Sequence, residues 1–256
     1  MEIISIDEKN IDKEHICCAI GADKQNLSRA QSKKVWMKQN FQDGLVFKRF
    51  DERGKMFIEY MPIETVWKPI LGKNYFVINC LWVSGKFQGN GLGKQLFEEC
   101  VTDAKKQKKD GIVVVTSTKK QGFLTDKKFY EKFGFETIET APPYFELMVY
   151  KWNDDAENPC FSQCAKEGTC SNKKGFTFIY SNQCPFMEEY VGIMSEAVTK
   201  RKQPFKIVKI ISYKEAQQIA SPFGTLGIYY NGQIQNHEIM PEKKFNKFIN
   251  EILEKS

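Results

Sequence analysis

Between Phe87 and Leu96 the chain reads FQGNGLGKQL, with glycines at 89, 91 and 93. Alternate glycines strip side chains from a backbone that must approach something closely, and a helix-like run follows, so the stretch is a candidate anion cradle. Two phosphate motifs fail on spacing. The dinucleotide fingerprint G-x-G-x-x-G, counted from Gly89, meets Lys94 at its last position. A P-loop requires four residues between its glycines and then Lys-Ser/Thr, whereas three residues separate Gly89 from Gly93 and Gln95 follows Lys94. The remaining pattern is Q-x-x-G-x-G, carried by Gln88, Gly91 and Gly93. Unpaired amides at a helix N-terminus carry partial positive charge and suit a pyrophosphate.

A second set of reactive side chains lies further on: Cys160, Cys164, Cys170 and Cys184. Cys184 stands in NQCPFM, just before a helix-like run, where the helix dipole favours a thiolate. Met187 occupies the second position of a would-be CxxC pair, which excludes a dithiol cycle in that motif. The upstream thiols could resolve Cys184, join it as soft metal ligands, or stay inert. Their spacing matches no common zinc motif, so no firm metal is expected. His15 and His237 read as surface residues.

The elements that must position these residues follow from periodicity. EIISI is an opening strand, and residues 11–43 read as one or two helices with Val35, Trp36 and Phe41 inward. LVFKRFDERGKMFIEYMPI alternates around a turn at 51–54, and residues 74–83 form another apolar strand. From Leu92 the apolar residues cover one helix face as far as Ala104. IVVVT is a strand covered on both faces, a helix follows around LTDKKFYEKFG, and FETIET with YFELMVYKW close an antiparallel pair.

NDDAENP, at 153–159, is polar and without periodicity. The expected organisation is therefore a domain over 1–152, a linker and cysteine-rich segment over 153–174, and a smaller domain over 175–256 of order β-α-β-α-β-β-α. Ser212 and Glu215 have capping-box spacing, and Asn231-Gly232 signals a two-residue hairpin turn.

Composition bounds the function classes. The net charge of +6 is modest, and its excess falls in the first domain, which suits a polyanionic small ligand better than nucleic acid. KKQKK at 105–109 reads as a solvated helix end. No run approaches the ~18 apolar residues of a membrane span, and the acidic start lacks a signal-peptide pattern, so a cytoplasmic protein without membrane association is expected. Eight cysteines then read as reduced thiols.

Gln88-x-x-Gly91-x-Gly93, between a strand and a helix, resembles the acetyl-CoA loop of the GNAT N-acetyltransferases. FYEKFGF at 129–135 resembles that family's tyrosine-bearing helix and its Gly-Phe turn. The resemblance covers residues 1 to about 152. It implies a mixed α/β (α+β) GNAT fold with a central, mostly antiparallel sheet, and acetyl-CoA as cosubstrate. By the same resemblance, Leu81, Trp82 and Val83 would bind the pantetheine arm through their backbone. Gln88, Gly89, Asn90, Gly91, Leu92, Gly93 and Lys94 would hold the pyrophosphate, and Tyr130 would protonate the departing thiolate. For the base, Glu59 and Glu64 are candidates, with Glu64 preferred. Asn79 and Cys80 stand where the family often carries a carboxylate or imidazole, and Phe123 stands where an asparagine is common.

The C-terminal order resembles a thioredoxin-like domain, although SPFGTL departs from the usual cis-proline site. The combination resembles the YoaP-like acetyltransferases of bacteria. The expected protein is an N-acetyltransferase, monomer or homodimer, acting on a small-molecule or peptide amine. The alternative is a thiol- or metal-responsive module that binds CoA only as a regulatory ligand.

Overall fold

A computed structural model describes residues 1–255 of the chain. The chain divides into two compact units: the first comprises Met1–Val66 and Ile70–Phe161, the second Trp67–Pro69 and the chain from Ser162 onward. Residues 153–174 are thus shared out, with 153–161 closing the first unit and 162–174 opening the second.

The first unit runs β1 (Ile3–Ile6), α1 (Lys24–Asn40), β2 (Val46–Phe50), β3 (Met56–Pro62), β4 (Ile70–Leu71), β5 (Tyr75–Val83), α2 (Leu92–Lys106), β6 (Gly111–Ser117), α3 (Lys127–Glu131), β7 (Glu136–Ala141), β8 (Phe145–Lys151) and β9 (Cys160–Phe161). Seven strands form one sheet in the order β1-β2-β3-β5-β6-β8-β7, and β4 pairs with β9 apart from it. The sheet is antiparallel throughout except for β5 and β6, which run parallel. α2 packs on one face through Leu92, Leu96, Phe97, Cys100 and Ala104, against Ile58, Tyr60, Phe76 and Ile78 of the sheet. That is the 3.6-residue stripe of an amphipathic helix meeting the two-residue alternation of strands. Burial holds the Cys100 thiol well above its ordinary pKa, so it stays protonated.

Only one helix forms within residues 11–43, and its phase differs from the expected one. Lys33, Trp36, Met37 and Asn40 face inward while Val35 is exposed. Asp23 caps its N-terminus by accepting from the Asn26 amide at 2.9 Å.

The second unit runs α4 (Gln163–Glu167), β10 (Phe176–Tyr180), α5 (Met187–Lys200), β11 (Phe205–Lys209), α6 (Tyr213–Ala216), β12 (Leu226–Tyr230), β13 (Gln233–Asn236) and α7 (Glu242–Leu253). Its sheet order is β11-β10-β12-β13, with β10 parallel to β11 and antiparallel to β12. From β10 onward this is the expected β-α-β-α-β-β-α order. Asn231 and Gly232 turn the β12–β13 hairpin with φ of 49° and 84°. Phe245, Ile249 and Ile252 of α7 are buried, as are Met187, Val191, Met194 and Val198 of α5.

His237 is not at the surface as its sequence context suggested: it is 2% exposed. Its Nδ1 lies 2.8 Å from the Ser221 hydroxyl, which donates to the Leu226 carbonyl at 2.8 Å. Desolvation lowers its pKa from 6.5 to about 4, so the folded state holds the ring neutral. The unfolded chain then binds the extra proton between pH 6.5 and 4, and the stability drawn from this site is lost as pH falls through that window. Urea unfolding of the full chain at pH 7 and pH 4.5 is expected to show a lower midpoint at 4.5. His237→Gln should reduce the difference.

Candidate active site

The site begins where two strands part. β5 and β6 are paired from Tyr75–Gly111 to Ile78–Val114, after which β5 continues to Val83 and β6 to Ser117 without pairing to each other. Backbone groups along the inner edge of Leu81–Val83 are thereby freed from the ladder. Two of the carbonyls meet side chains: Leu81 accepts from Thr125 Oγ1 at 2.8 Å and Val83 from Gln88 Nε2 at 3.1 Å. Leu81, Trp82 and Val83 line one wall of a cleft of about 280 Å³, with Gln88 and Gly93 at its end and Lys120–Gly122, Thr125 and Phe129 across it.

The glycine loop closes that end. Gly89 and Gly91 have φ of 81° and 74°, a region costly for a side-chain-bearing L-residue. Gly91 is the N-cap of α2 and offers no side-chain cap, which leaves the first-turn amides of α2 open to an external acceptor. Gly93 is close-packed instead, since a Cβ there would lie 3.3 Å from the Phe129 ring, which would have to give by a few tenths of an ångström. The remaining loop residues divide by what they touch. Asn90 bonds within the loop, through Nδ2 to the Lys86 carbonyl at 3.3 Å. Leu92 is buried in the core, so only its amide faces the loop. Lys94 is exposed beside Glu98, 3.7 Å away. Gly91→Ala is expected to destabilise the protein by about 1 kcal/mol and to weaken acetyl-CoA binding about tenfold, measured by thermal unfolding and calorimetry.

Tyr130 lies on α3, 1% exposed, packed edge-on to Phe129 at 5.3 Å and against Phe135 at 5.2 Å. Its phenol hydrogen-bonds with the Thr125 side chain. Thr125 Oγ1 also meets the Leu81 carbonyl of the cleft wall. Desolvation raises the phenol pKa, which keeps the proton in place, while the bond with Thr125 works to lower it. Thr125 was not singled out from sequence. Its only signal is its place before Asp126, the α3 N-cap that accepts from the Lys128 amide at 3.0 Å.

Glu64 is not brought to this site. It sits in a short 3-10 turn, accepts from the Asn74 amide at 2.7 Å and lies 3.9 Å from Lys109, at the start of β5. The cleft is at the other end of that strand, about 26 Å along it. Glu59 is 2% exposed on β3, where it pairs with Lys33 and accepts from Asn79 Nδ2 at 3.2 Å.

Cys160 belongs to the first unit, on β9, while Cys164, Cys170 and Cys184 belong to the second. All are free thiols, and no group of three or more His, Cys, Asp or Glu side chains among the described residues could hold a metal. Cys164 lies 3.0 Å from the Ser162 hydroxyl and 3.6 Å from the Ile219 carbonyl. Cys164 and Cys170 both raise the pKa of the Tyr229 phenol, after the larger effect of its burial. No helix of the described residues is long and apolar enough to cross a membrane.

Residues 54–137 match the family model for an acetyltransferase (GNAT) domain, and residues 204–247 match the YoaP-like model. The chain is 40% identical over 247 residues to YoaP of Bacillus subtilis (strain 168), described as an uncharacterized N-acetyltransferase; the match spans 96% of this chain and 98% of that protein. Similar solved structures include a ribosomal-protein-alanine N-acetyltransferase from Brucella melitensis, 15% identical, with 59% of this chain and all of that one covered at a TM-score of 0.44. Another is a PaiA N-acetyltransferase from Thermoplasma acidophilum in complex with coenzyme A, 18% identical at the same coverages and a TM-score of 0.41. The chain belongs to the GNAT N-acetyltransferases, in the branch that carries a YoaP-like C-terminal domain. It is an acyltransferase, with acetyl-CoA as the cosubstrate of that family.

Proposed function

We propose that the protein moves an acetyl group from acetyl-CoA to an amine by direct attack of the amine on the thioester carbonyl. The carrying observation is the opened β5–β6 wedge, whose mouth meets the uncapped N-terminus of α2. The residues there fit the cofactor. The amides of Gly91–Lys94 would hold the pyrophosphate, aided by Gln88, Gly89 and Asn90 as loop formers. The freed edge of Leu81–Val83 would bind the amide-bearing pantetheine arm as an added strand would. The bound cofactor supplies the activated acetyl group.

On this reading the N–C bond forms, the C–S bond breaks, and the thiolate leaves needing one proton. Tyr130 supplies it, kept protonated by burial and aligned by Thr125. The proton released by the amine restores the phenol through solvent, so one proton passes from nitrogen to sulfur overall. Glu64 takes no part and braces the start of β5.

The test follows released CoA with a thiol reagent while the full chain is incubated with acetyl-CoA and a panel of spermidine, a lysine-containing tetrapeptide and a dipeptide with a free α-amine. Amine-dependent CoA release supports the reading. Tight acetyl-CoA binding without turnover on any amine overturns it.

A further inference from the structure

The edge of the wedge carries a residue that the reaction above leaves unused. Strand β5 has one residue more than β3 at this point: Tyr60 faces Ile78 and Glu59 faces Cys80, so Asn79 is the bulged residue between them. Ile78 is also the last residue of β5 paired with β6. Bulge and wedge apex therefore coincide at Asn79.

Behind it stands a buried ion pair. Asn79 Nδ2 donates to Glu59 Oε1 at 3.2 Å, and Glu59 Oε2 pairs with Lys33 Nζ. Lys33 and Glu59 are 1% and 2% exposed. This arrangement decides the amide orientation, because a flipped Asn79 would set its oxygen against a carboxylate oxygen, acceptor on acceptor. Nδ2 is thus turned to Glu59 and Oδ1 away from it. Asn79 Oδ1 is buried and has no hydrogen-bond partner among the described residues. An acceptor held in a fixed direction and left without a donor is costly unless a ligand supplies the donor.

We propose that Asn79 receives the acceptor: an N–H of the incoming neutral amine donates to Asn79 Oδ1, which leaves the nitrogen lone pair free to meet the thioester carbonyl at the apex of the wedge. Asn79 is then a substrate-binding residue. Lys33 and Glu59 are positioning residues that act through it by locking its amide. The acceptor class that fits is an amine with at least one N–H to spare once its lone pair is aimed at carbon. The inference rests on the acetyl-transfer reading.

The test uses the full chain and whichever amine of the same panel gives turnover. Asn79→Ala is expected to raise the KM for that amine about tenfold, the equivalent of one hydrogen bond. The acetyl-CoA Kd, measured by calorimetry, should stay within twofold. The paired change Lys33→Met with Glu59→Leu removes both charges together and unlocks the amide, so it should raise the amine KM similarly while the Tm stays near that of the parent. A merely structural role would lower the Tm or affect both substrates alike. An unchanged amine KM in both variants, with transfer intact, overturns the Asn79 assignment alone. No turnover of any amine by the parent protein overturns it together with the acetyl-transfer reading.

Discussion

Tyr130→Phe is expected to lower the rate of acetyl transfer about a hundredfold, the lower end of what a positioned general acid contributes. The acetyl-CoA affinity should change less than twofold, since the ring stays in place against Phe129 and Phe135 and only the hydroxyl is lost. The measurement is CoA release under saturating acetyl-CoA, beside calorimetric binding of the same variant. Thr125→Val should give a smaller loss, because the phenol keeps its proton but loses the hydroxyl that aligns it with the Leu81 edge. The raised phenol pKa also carries a sign: the proton stays bound at and above the group's ordinary pKa of 10, so no falling limb from this residue is expected below pH 10. Full activity in Tyr130→Phe would remove it from the mechanism.

The largest effect on stability is expected from Glu59→Ala. Lys33 lies on the inner face of α1 with its side chain 2% exposed, and the Glu59 carboxylate is its ion-pair partner. Removing the carboxylate leaves an ammonium buried without that charge, a change that costs about 3–5 kcal/mol. Removing both charges is different. Lys33→Met with Glu59→Leu keeps the volume and leaves no unpaired charge, so it should unfold within about 1 kcal/mol of the parent. Denaturant unfolding of the three proteins settles the comparison. Equal losses in the single and paired variants would mean that the pair does not act as a unit.

Much of the proposed site was legible in the linear sequence because its parts are local. The glycines of FQGNGLGKQL, the strand before them and the helix after them are contiguous, and spacing alone excluded two other phosphate motifs. Tyr130 could be placed through its short motif. The misreadings share a cause. Glu64 was preferred because it follows a strand near the right part of the fold, yet the turn after β3 carries it to the start of β5, where it accepts from the Asn74 amide. Val35 was taken for a core residue on apolar character, whereas the helix turns Lys33 inward to meet a carboxylate on β3. His237 looked like a surface residue because nothing in its neighbours announces that Ser221 will meet it.

The sequence by itself determined the order of elements, the helix and strand faces around α2, and the glycine loop that opens that helix, because these follow from periodicity and backbone freedom over a few residues. Tertiary structure alone decided where β5 leaves β6, and that Lys33, Glu59 and Asn79 form one buried chain. Each of those depends on a contact between residues far apart in the chain, and its energy exists only once packing has excluded water from both partners.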